Sequence, residues 1–448
     1  MPKRQSTEEP IDLREILRRL NPNVPAGFDA SALPRTARES TAIRQLRTSL
    51  AADPYAKALL TGHIGVGKST ELWQLRQDLT PDRFVVWTSI AQSLGVHNAN
   101  TFSLLIVILE ALIREWVLQL GELPPGLVEE LVTHVRDQRP SRPARRTAVT
   151  AGPVGLPIGP SVWEELLERT IGAATGTQLA DLYSDILQRL ALRYISPGQL
   201  VTLDVSRVAR SCEVVIKELE GKAQKPVLLV IDDLDKVRDE TTQHELFIDH
   251  AMAWMRLPCG VLATLPLDGL FTQQGRELDH VWGEIGVLDP LPVPEPHKSD
   301  ARDANLQPYL NILRSIGGQQ AFSALQCRQL AYLSGGLPRA FVHACAACVG
   351  YALDAGDAHV LNQHIDLVQH AMTDRWRGRL TDDDYAAIVD VLDSGGANVP
   401  CAIQSVRDGL LLRDGSAPPD KQFRLAAWAE PLVEAYRKRM SSGKAVSS

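Results

Sequence analysis

One eight-residue segment constrains the fold of this chain more than any other part of the sequence. Residues 62–69 read Gly-His-Ile-Gly-Val-Gly-Lys-Ser and satisfy every fixed position of the pattern G-x-x-x-x-G-K-[ST]. The glycines let backbone N–H groups converge on an anion, and a helix that begins at the loop adds its own unpaired N–H groups. A short apolar strand is predicted over 58–61 and a helix over 71–79, which is the context that the pattern requires. The segment therefore predicts a phosphate-binding loop.

The polar side chains of this loop predict a nucleotide and a magnesium ion. Lys68 would neutralise oxygens of the β- and γ-phosphates, the Ser69 hydroxyl would ligate Mg²⁺, and Thr70 would begin the helix. We therefore expect ATP and Mg²⁺ as cofactors. The residues expected to contact the nucleotide are Gly62, His63, Ile64, Gly65, Val66, Gly67, Lys68, Ser69 and Thr70.

A second acidic motif completes the predicted site. The run Val227–Ile231 is apolar without alternation, which is typical of a central parallel strand covered on both faces. Two carboxylates, Asp232 and Asp233, follow it and should lie at the carboxyl edge of the sheet, where α/β proteins bind their ligands. Asp232 would hold Mg²⁺ through water, and Asp233 would polarise or hold the attacking water. Together with the loop, these residues predict magnesium-dependent hydrolysis of ATP.

Two more positions are weaker candidates for the same chemistry. Thr264 ends the next predicted strand, 260–265, where its hydroxyl could sense the γ-phosphate or the attacking water. Arg276 precedes a third predicted strand, 284–288, and could act in trans on the nucleotide of a neighbouring subunit. An ordinary strand-forming threonine and an ordinary surface arginine remain the alternatives.

The order of predicted elements divides the 448 residues into successive regions. Strands alternate with helices up to Pro290, which predicts a doubly wound α/β parallel sheet, and helices follow it. We expect an N-terminal segment over 1–40, an ATPase core over 41–290 and a helical unit over 291–380. A winged-helix-like unit over 381–440 is expected from its helices and a β pair, with a disordered tail over 441–448.

Charge and composition limit the classes of partner. The net charge of −7 excludes a uniformly basic surface for nucleic acid. Residues 136–160 form a basic, proline-rich segment that is predicted to be a mobile insertion; it could touch phosphates or simply be solvated. The winged-helix-like unit is net acidic, which favours packing on its own ATPase core or on a protein over binding to DNA.

Other features indicate a cytoplasmic protein. The most apolar stretch, 102–113, is too short to cross a membrane, and the polar N-terminus does not look like a secretory signal. Six cysteines in a chain of this length do not make a disulfide framework. The pair Cys345 and Cys348 has C-x-x-C spacing, but without a second pair it favours small buried residues over a zinc site.

These motifs resemble the P-loop ATPases of the AAA+ and STAND type, including their origin-recognition-like and archaeal-ATPase-like branches. Beyond the loop, the resemblance rests on the cluster Asp232–Lys236, on the strand that carries Thr264 and on Gly335–Arg339 opening a helix. It implies that residues 291–380 form a lid and that Arg339 closes this lid on the γ-phosphate; a sharp turn with a structural arginine is the alternative. Many AAA+ hydrolases have Glu where this chain has Asp233, and the shorter side chain favours a slow switch over a fast motor.

The resemblance also implies what such an ATPase would do. It implies a nucleotide switch, with ATP and ADP as ligands, that regulates a separately encoded protein effector, as in bacterial defence signalling, and that can form a homo-oligomer. A DNA-binding AAA+ regulator of replication or transposition is one alternative. A scaffold that binds nucleotide without hydrolysing it is another, and the intact Lys68, Ser69 and Asp232 argue against it.

Overall fold

The computed structural model describes most of the chain outside one long central segment. The described residues are 12–20, 40–93, 99–127, 131, 205–272, 274–295, 303–396, 399–415 and 422–444. The basic segment 136–160, the helices predicted over 162–170 and 178–191, and most of the N-terminal segment lie outside these ranges.

Five parallel strands form the central sheet, in the order β2-β3-β4-β1-β5. The strands are β1 (Lys57–Gly62), β2 (Phe84–Ser89), β3 (Val227–Asp232), β4 (Gly260–Leu265) and β5 (Glu284–Leu288). The strands predicted over 58–61, 227–231, 260–265 and 284–288 all lie at or within a residue of these ranges. The predicted doubly wound parallel sheet is thereby confirmed.

Helices connect the strands and make up much of the rest of the described chain. Those before β5 are α1 (Leu13–Arg19), α2 (Thr41–Ala52), α3 (Lys68–Leu79), α4 (Ile90–Ser93), α5 (Thr101–Leu120), α6 (Val205–Ala223), α7 (Glu240–His244), α8 (Ala251–Met255) and α9 (Gln274–Val281), with a π-helical turn (Glu245–Asp249) between α7 and α8. Those after it are α10 (Gln307–Ser315), α11 (Ala324–Leu333), α12 (Pro338–Ala355), α13 (Asn362–Arg377), α14 (Asp382–Asp393), α15 (Ile403–Arg407) and α16 (Glu430–Lys444).

Successive side chains of each strand point to opposite faces of the sheet. Both faces are buried because other elements pack against each of them. In β1, Leu59 packs with the apolar side chains of α5 and α6, whereas Leu60 packs with α2, α3 and the C-terminal region. This is why the strands appear in the sequence as continuous apolar runs. The long apolar helix α5 is itself part of the first of these clusters, and no helix in the described ranges is long and apolar enough to cross a membrane.

The strand order brings the ends of three strands together at one edge. β4 lies between β1 and β3, with Leu60 opposite Thr264 and Ile231 opposite Ala263. The loop after β1, the hydroxyl of Thr264 and the acids after β3 therefore occupy neighbouring positions at the carboxyl edge.

After β5 the chain forms a helical unit and then a C-terminal unit, which we define as the described part of residues 381–444. The C-terminal unit contains α14, α15 and α16 with two short antiparallel strands, β6 (Leu411–Arg413) and β7 (Phe423–Leu425). Its apolar residues share one cluster with Leu60 and Val230 of the sheet, so it packs on one face of the sheet. Helix α16 continues to Lys444, so the first four residues of the predicted disordered tail are helical.

Candidate nucleotide-binding site

The loop between β1 and α3 has the backbone that its glycines predict. Gly62, Gly65 and Gly67 all have positive φ angles, of 151°, 82° and 105°. A side chain at Gly65 would also be too close to its neighbour, since a Cβ there would lie 2.9 Å from Cβ of Arg339. Helix α3 begins at Lys68, so the prediction that Thr70 begins the helix is wrong by two residues. The earlier start places Lys68 in the first turn of α3.

The ammonium group of Lys68 is buried and makes three contacts. It donates hydrogen bonds to the carbonyls of Gly62 (2.7 Å) and His63 (3.1 Å), and it forms an ion pair with Asp235 (2.8 Å). The side chain of Lys68 is 5% exposed and that of Asp235 is 8% exposed. The two hydrogen bonds to its own loop hold the ammonium group beside the loop backbone, where the pattern predicts phosphate. Sequence reasoning assigned no role to Asp235, although it belongs to the acidic cluster after β3.

Asp232 lies at the end of β3 and accepts a hydrogen bond from the Ser69 side chain. Burial raises the pKa of Asp232 to about 7, and the negative charges of Asp233 and Asp235 add to this effect. Oxygen atoms of these three carboxylates lie within 4.8 Å of one another. Carboxylate and hydroxyl oxygens are the ligands that Mg²⁺ prefers, and a cation would offset the repulsion between the acids. The donor set therefore fits the expected magnesium ion, and the roles of Ser69 and Asp232 as its ligands stay predictions.

Asp233 is held in an unusual backbone conformation. Its φ angle is 69°, a left-handed value that few residues other than glycine adopt. One carboxylate oxygen accepts a hydrogen bond from the Ser89 hydroxyl at the end of β2 (2.5 Å), and the other pairs with Lys236 (2.5 Å). Ser89 and Lys236 were not identified from the sequence. Their contacts fix the orientation of the carboxylate that is expected to hold the attacking water.

The side chain of Thr264 contacts the backbone of the same acidic turn. Its buried hydroxyl accepts a hydrogen bond from the N–H of Asp235 (3.2 Å). Thr264 thus supports the residue that pairs with Lys68. Whether it also senses the γ-phosphate stays a prediction.

The two candidate arginines lie in different surroundings. Arg339, in the first turn of α12, contacts the loop directly, because its backbone N–H donates to the carbonyl of Gly65 (3.2 Å). Arg276 is an exposed residue of α9. The turn before α12 needs its glycines: a Cβ at Gly336 would lie 2.2 Å from the Leu291 carbonyl oxygen. The structure therefore places Arg339 at the loop, and the predicted role of Arg276 in trans stays a prediction.

His63, the second residue of the loop, connects the site to the C-terminal unit. Its Nε2 accepts a hydrogen bond from the backbone N–H of Arg413 in β6 (2.8 Å), and its ring also bonds to the backbone of Val406 in α15. The side chain is 3% exposed. Burial, with a further contribution from the Lys68 charge, lowers the pKa of His63 to about 3. The ring is therefore neutral at physiological pH, and it bonds to the C-terminal unit; only the backbone of His63 is left to contact phosphate.

Three arginines of the C-terminal unit add further contacts around the site. Arg413 pairs with Asp289 just after β5 (2.6 Å), and Arg424 donates to the carbonyl of Gly335 (2.7 Å). Arg407 pairs with the buried Asp268 after β4 (2.6 Å), and also with Glu240 of α7 (3.0 Å). The C-terminal unit is thus bonded to the loop, to the core and to the turn that precedes α12.

A cleft of about 900 Å³ opens where these parts meet. Its walls come from the start of α2, the segment after β5, the helical unit and the C-terminal unit. They include Ser40, Asp289, Tyr332, Arg413, Arg424 and Glu430, together with several prolines. No residue of the phosphate loop lines this cleft, but two of its wall residues connect it to the loop: Asp289 follows the strand beside β1, and the backbone of Arg413 bonds to His63.

The C-x-x-C pair of the sequence is buried, and a basic run near the end of α16 forms ion pairs. Cys345 and Cys348 are buried free thiols inside α12, and burial raises the pKa of Cys348 to about 12, as expected for core cysteines. In the basic run 437–439, Arg437 pairs with Asp393 and Arg439 pairs with Asp382. These ion pairs offset the positive charges of Arg437 and Arg439.

Comparisons with solved structures found matches at low identity. The chain is similar to the Walker-type ATPase of Pyrococcus abyssi, with 14% identity and a TM-score of 0.42 over 93% of this chain and 99% of that one. It is also similar to Cdc6p of Pyrobaculum aerophilum, with 10% identity and a TM-score of 0.40 over 96% and 99% of the two chains. For the RuvB Holliday junction branch migration motor of Thermotoga maritima, the identity is 10% and the TM-score 0.35 over 94% and 98%. No protein-family model and no curated protein matches the sequence.

The class of fold is defined by features of this chain itself. A parallel sheet in the order β2-β3-β4-β1-β5 carries a complete G-x-x-x-x-G-K-[ST] loop after β1 and an acid at the end of β3. Helices α10 to α13 follow the sheet, and the first turn of α12 touches the loop. The protein has the α/β fold of P-loop ATPases.

Proposed function

We propose that this protein binds ATP with Mg²⁺ and hydrolyses it slowly, as a nucleotide-dependent switch. The observation that carries the proposal is the convergence of Lys68, Ser69 and Asp232 at one edge of the sheet, with Ser69 hydrogen-bonded to Asp232. Such a site offers a buried cation and N–H groups to phosphates, and oxygen ligands to magnesium.

The roles of the chain's own residues follow from their positions. The loop backbone and Lys68 would bind the phosphates, while Ser69 and Asp232 would hold Mg²⁺, which neutralises phosphate charge when bound. Asp233, oriented by Ser89 and Lys236, would hold the attacking water. The bonds that fix Asp233 also limit its movement towards a water molecule, which supports slow hydrolysis.

The cleft beside the loop is the proposed place for the base and ribose. Its volume of about 900 Å³ lies in the range of ligand pockets, and its walls combine prolines with polar side chains. Because the helical unit and the C-terminal unit both line it, a nucleotide there would contact three parts of the protein at once.

The link between the loop and the C-terminal unit supports a switch. His63 bonds to Val406 and Arg413, and Arg339 bonds to Gly65, so the loop is in contact with both regions that follow the sheet. A change in the loop on binding or loss of the γ-phosphate would alter these bonds and with them the position of the C-terminal unit. Regulation of a separately encoded effector, with bacterial defence as its setting, is the finer part of the proposal and rests on the resemblance to STAND ATPases.

The experiment that tests the proposal measures molar mass and phosphate release on the same sample. Light scattering after size-exclusion chromatography would be carried out with ADP, with ATP·Mg²⁺ and with a slowly hydrolysed analogue. Wild type is compared with Lys68→Ala, and with Lys438→Ala as a matched control that removes a lysine far from the loop in the sequence. We expect phosphate release, and an ATP-dependent change of mass, in wild type and Lys438→Ala only.

The outcomes separate the parts of the proposal. Phosphate release without a change in mass would support the ATPase and contradict ATP-driven assembly. Nucleotide binding without phosphate release would favour the non-hydrolysing scaffold. A folded wild-type protein that binds neither ADP nor ATP would overturn the proposal as a whole.

A further inference from the structure

The ion pair with Asp235 occupies the lysine that the proposed function assigns to phosphate, Lys68. A lysine ammonium group has three N–H donors. In this structure all three have a partner: the carbonyl of Gly62, the carbonyl of His63 and the carboxylate of Asp235. A phosphate that binds Lys68 must therefore replace or displace one of these partners.

Asp235 is the partner that a phosphate would displace. The two carbonyls are neutral and belong to the loop that wraps the phosphate, so they remain beside the lysine. The carboxylate of Asp235 carries a negative charge and lies 2.8 Å from Nζ of Lys68. At that position it would repel an incoming phosphate, and burial of the pair weakens screening by solvent.

The backbone holds Asp235 where it can make this contact. Its N–H donates to the buried hydroxyl of Thr264, which is fixed in β4 at the centre of the sheet. The preceding residues also belong to a tight turn, in which the N–H of Asp233 donates to the Asp232 carboxylate (2.8 Å). Asp235 is therefore presented to Lys68 by β3 and β4 together.

We propose that Asp235 is a positioning residue that competes with the nucleotide's phosphates for Lys68 and so weakens nucleotide retention. This inference rests on the proposed function, because it names the residue that sets the affinity of the same site. A carboxylate that occupies Lys68 lowers the affinity for any ligand that needs the lysine, and it speeds release of that ligand by retaking its place.

The test is the affinity of Asp235→Asn for ADP, ATP and AMP, measured by calorimetry in EDTA so that magnesium does not contribute. We expect ADP and ATP to bind about tenfold more tightly than to wild type, the change that about 1.4 kcal/mol produces. AMP lacks the phosphates that Lys68 is expected to contact, so its affinity should not change. Asp239→Asn is the matched control, because it removes an exposed acid of the same connection that caps α7 by accepting from Thr242.

Thermal unfolding gives a second readout. Without nucleotide, Asp235→Asn should unfold at a lower temperature than wild type because Lys68 loses its buried counter-ion. ADP should then raise the unfolding temperature of Asp235→Asn by more than it raises that of wild type. A purely structural role for Asp235 would give the lower unfolding temperature without the larger response to ADP.

Two outcomes overturn the inference while leaving the proposed function intact. One is a folded Asp235→Asn that binds ADP and ATP no more tightly than wild type does. The other is an equal gain in affinity for AMP, which would show that the effect does not pass through Lys68.

If Asp235→Asn does not fold, Thr264→Val is measured in its place. This variant removes the acceptor of the Asp235 N–H, and a smaller gain in ADP affinity is expected. An unchanged or weaker affinity for ADP would then count against the inference. If wild type, Asp235→Asn and Asp239→Asn all fail to bind any nucleotide, the proposed function itself is wrong.

Discussion

The two ends of the phosphate loop contact different parts of the protein, and the contacts differ in kind. At the end that opens α3, the charged Lys68 pairs with Asp235, close to Asp232 and Asp233. At the start of the loop, the neutral ring of His63 bonds to the backbone of Val406 and Arg413. The first end holds several buried charged groups. The second end holds an uncharged ring that is hydrogen-bonded to a part of the chain far away in sequence.

This difference separates two tasks within one loop of eight residues. Buried charges attract ions of opposite sign and are sensitive to a phosphate or a magnesium ion. A buried neutral ring with fixed partners holds two regions together and is sensitive to their relative position. We infer that the lysine end is suited to ligand binding and the histidine end to communication with the C-terminal unit.

The largest expected effect concerns the charged end. In Asp232→Asn the site loses the carboxylate that accepts from Ser69 and that is expected to hold Mg²⁺. Phosphate release should fall about 100-fold, as when a group that stabilises transition-state charge is removed. Binding of ADP in EDTA should persist, because Lys68 and the loop are unchanged. Phosphate release that stays near the wild-type rate would show that Asp232 does not hold the metal.

The next effect concerns the histidine end and depends on pH. The pKa of His63 is lowered from 6.5 to about 3 in the folded protein, so the unfolded chain takes up a proton on this ring and the folded chain does not. The stability that His63 contributes is therefore lost as the pH falls from 6.5 towards 3. At about pH 5 the loss amounts to about 2 kcal/mol.

The variant His63→Gln tests this pH dependence, because glutamine does not titrate and can still accept from the Arg413 N–H. Denaturant unfolding at several pH values should show that both proteins lose stability below pH 6.5. At about pH 5 the loss in free energy of unfolding should be smaller in the variant by about 2 kcal/mol. Parallel curves for wild type and His63→Gln would contradict the assignment of a buried neutral His63.

The smallest effect concerns the ion pairs of the C-terminal unit. In Arg407→Gln the buried carboxylate of Asp268 loses its partner, and the free energy of unfolding should fall by about 1 to 2 kcal/mol. Arg437→Gln is the control, since Arg437 and Asp393 are 49% and 62% exposed and such pairs contribute little. Denaturant unfolding at neutral pH measures both variants. Equal losses in the two would show that burial of Asp268 does not strengthen its pair.

Much of the fold could be predicted because its signals are local in the sequence. The strands are continuous apolar runs, and the loop after β1 follows a fixed pattern, so the parallel sheet and the phosphate loop were both predicted. Helix α3 begins two residues before the predicted start, since glycines mark the loop but the first helical turn includes Lys68 itself. The helical end of α16 at 441–444 was missed because a run rich in serine and glycine normally favours a disordered tail.

The site could be predicted only in part, because several of its contacts join residues far apart in the chain. Ser89 and Asp233 are 144 residues apart, and no local pattern connects a serine at the end of one strand with an acid after another. The contact between His63 and Arg413 spans 350 residues and uses the backbone of Arg413, so its side-chain type carries no signal for it. Asp235 belongs to an acidic cluster that is evident in the sequence, but the sequence does not indicate that its ion-pair partner is Lys68.

By itself, the sequence determined the loop pattern and the acidic motif that predict a site for phosphate and magnesium. The spacing of glycines, Lys68 and Ser69, and the acid after an apolar strand, are properties of short segments, and their chemistry follows from residue type. Only the tertiary structure decided what those residues contact. It paired Lys68 with Asp235, fixed Asp233 through Ser89 and bonded His63 to the C-terminal unit, because strand order and burial, which depend on the whole chain, bring these groups together.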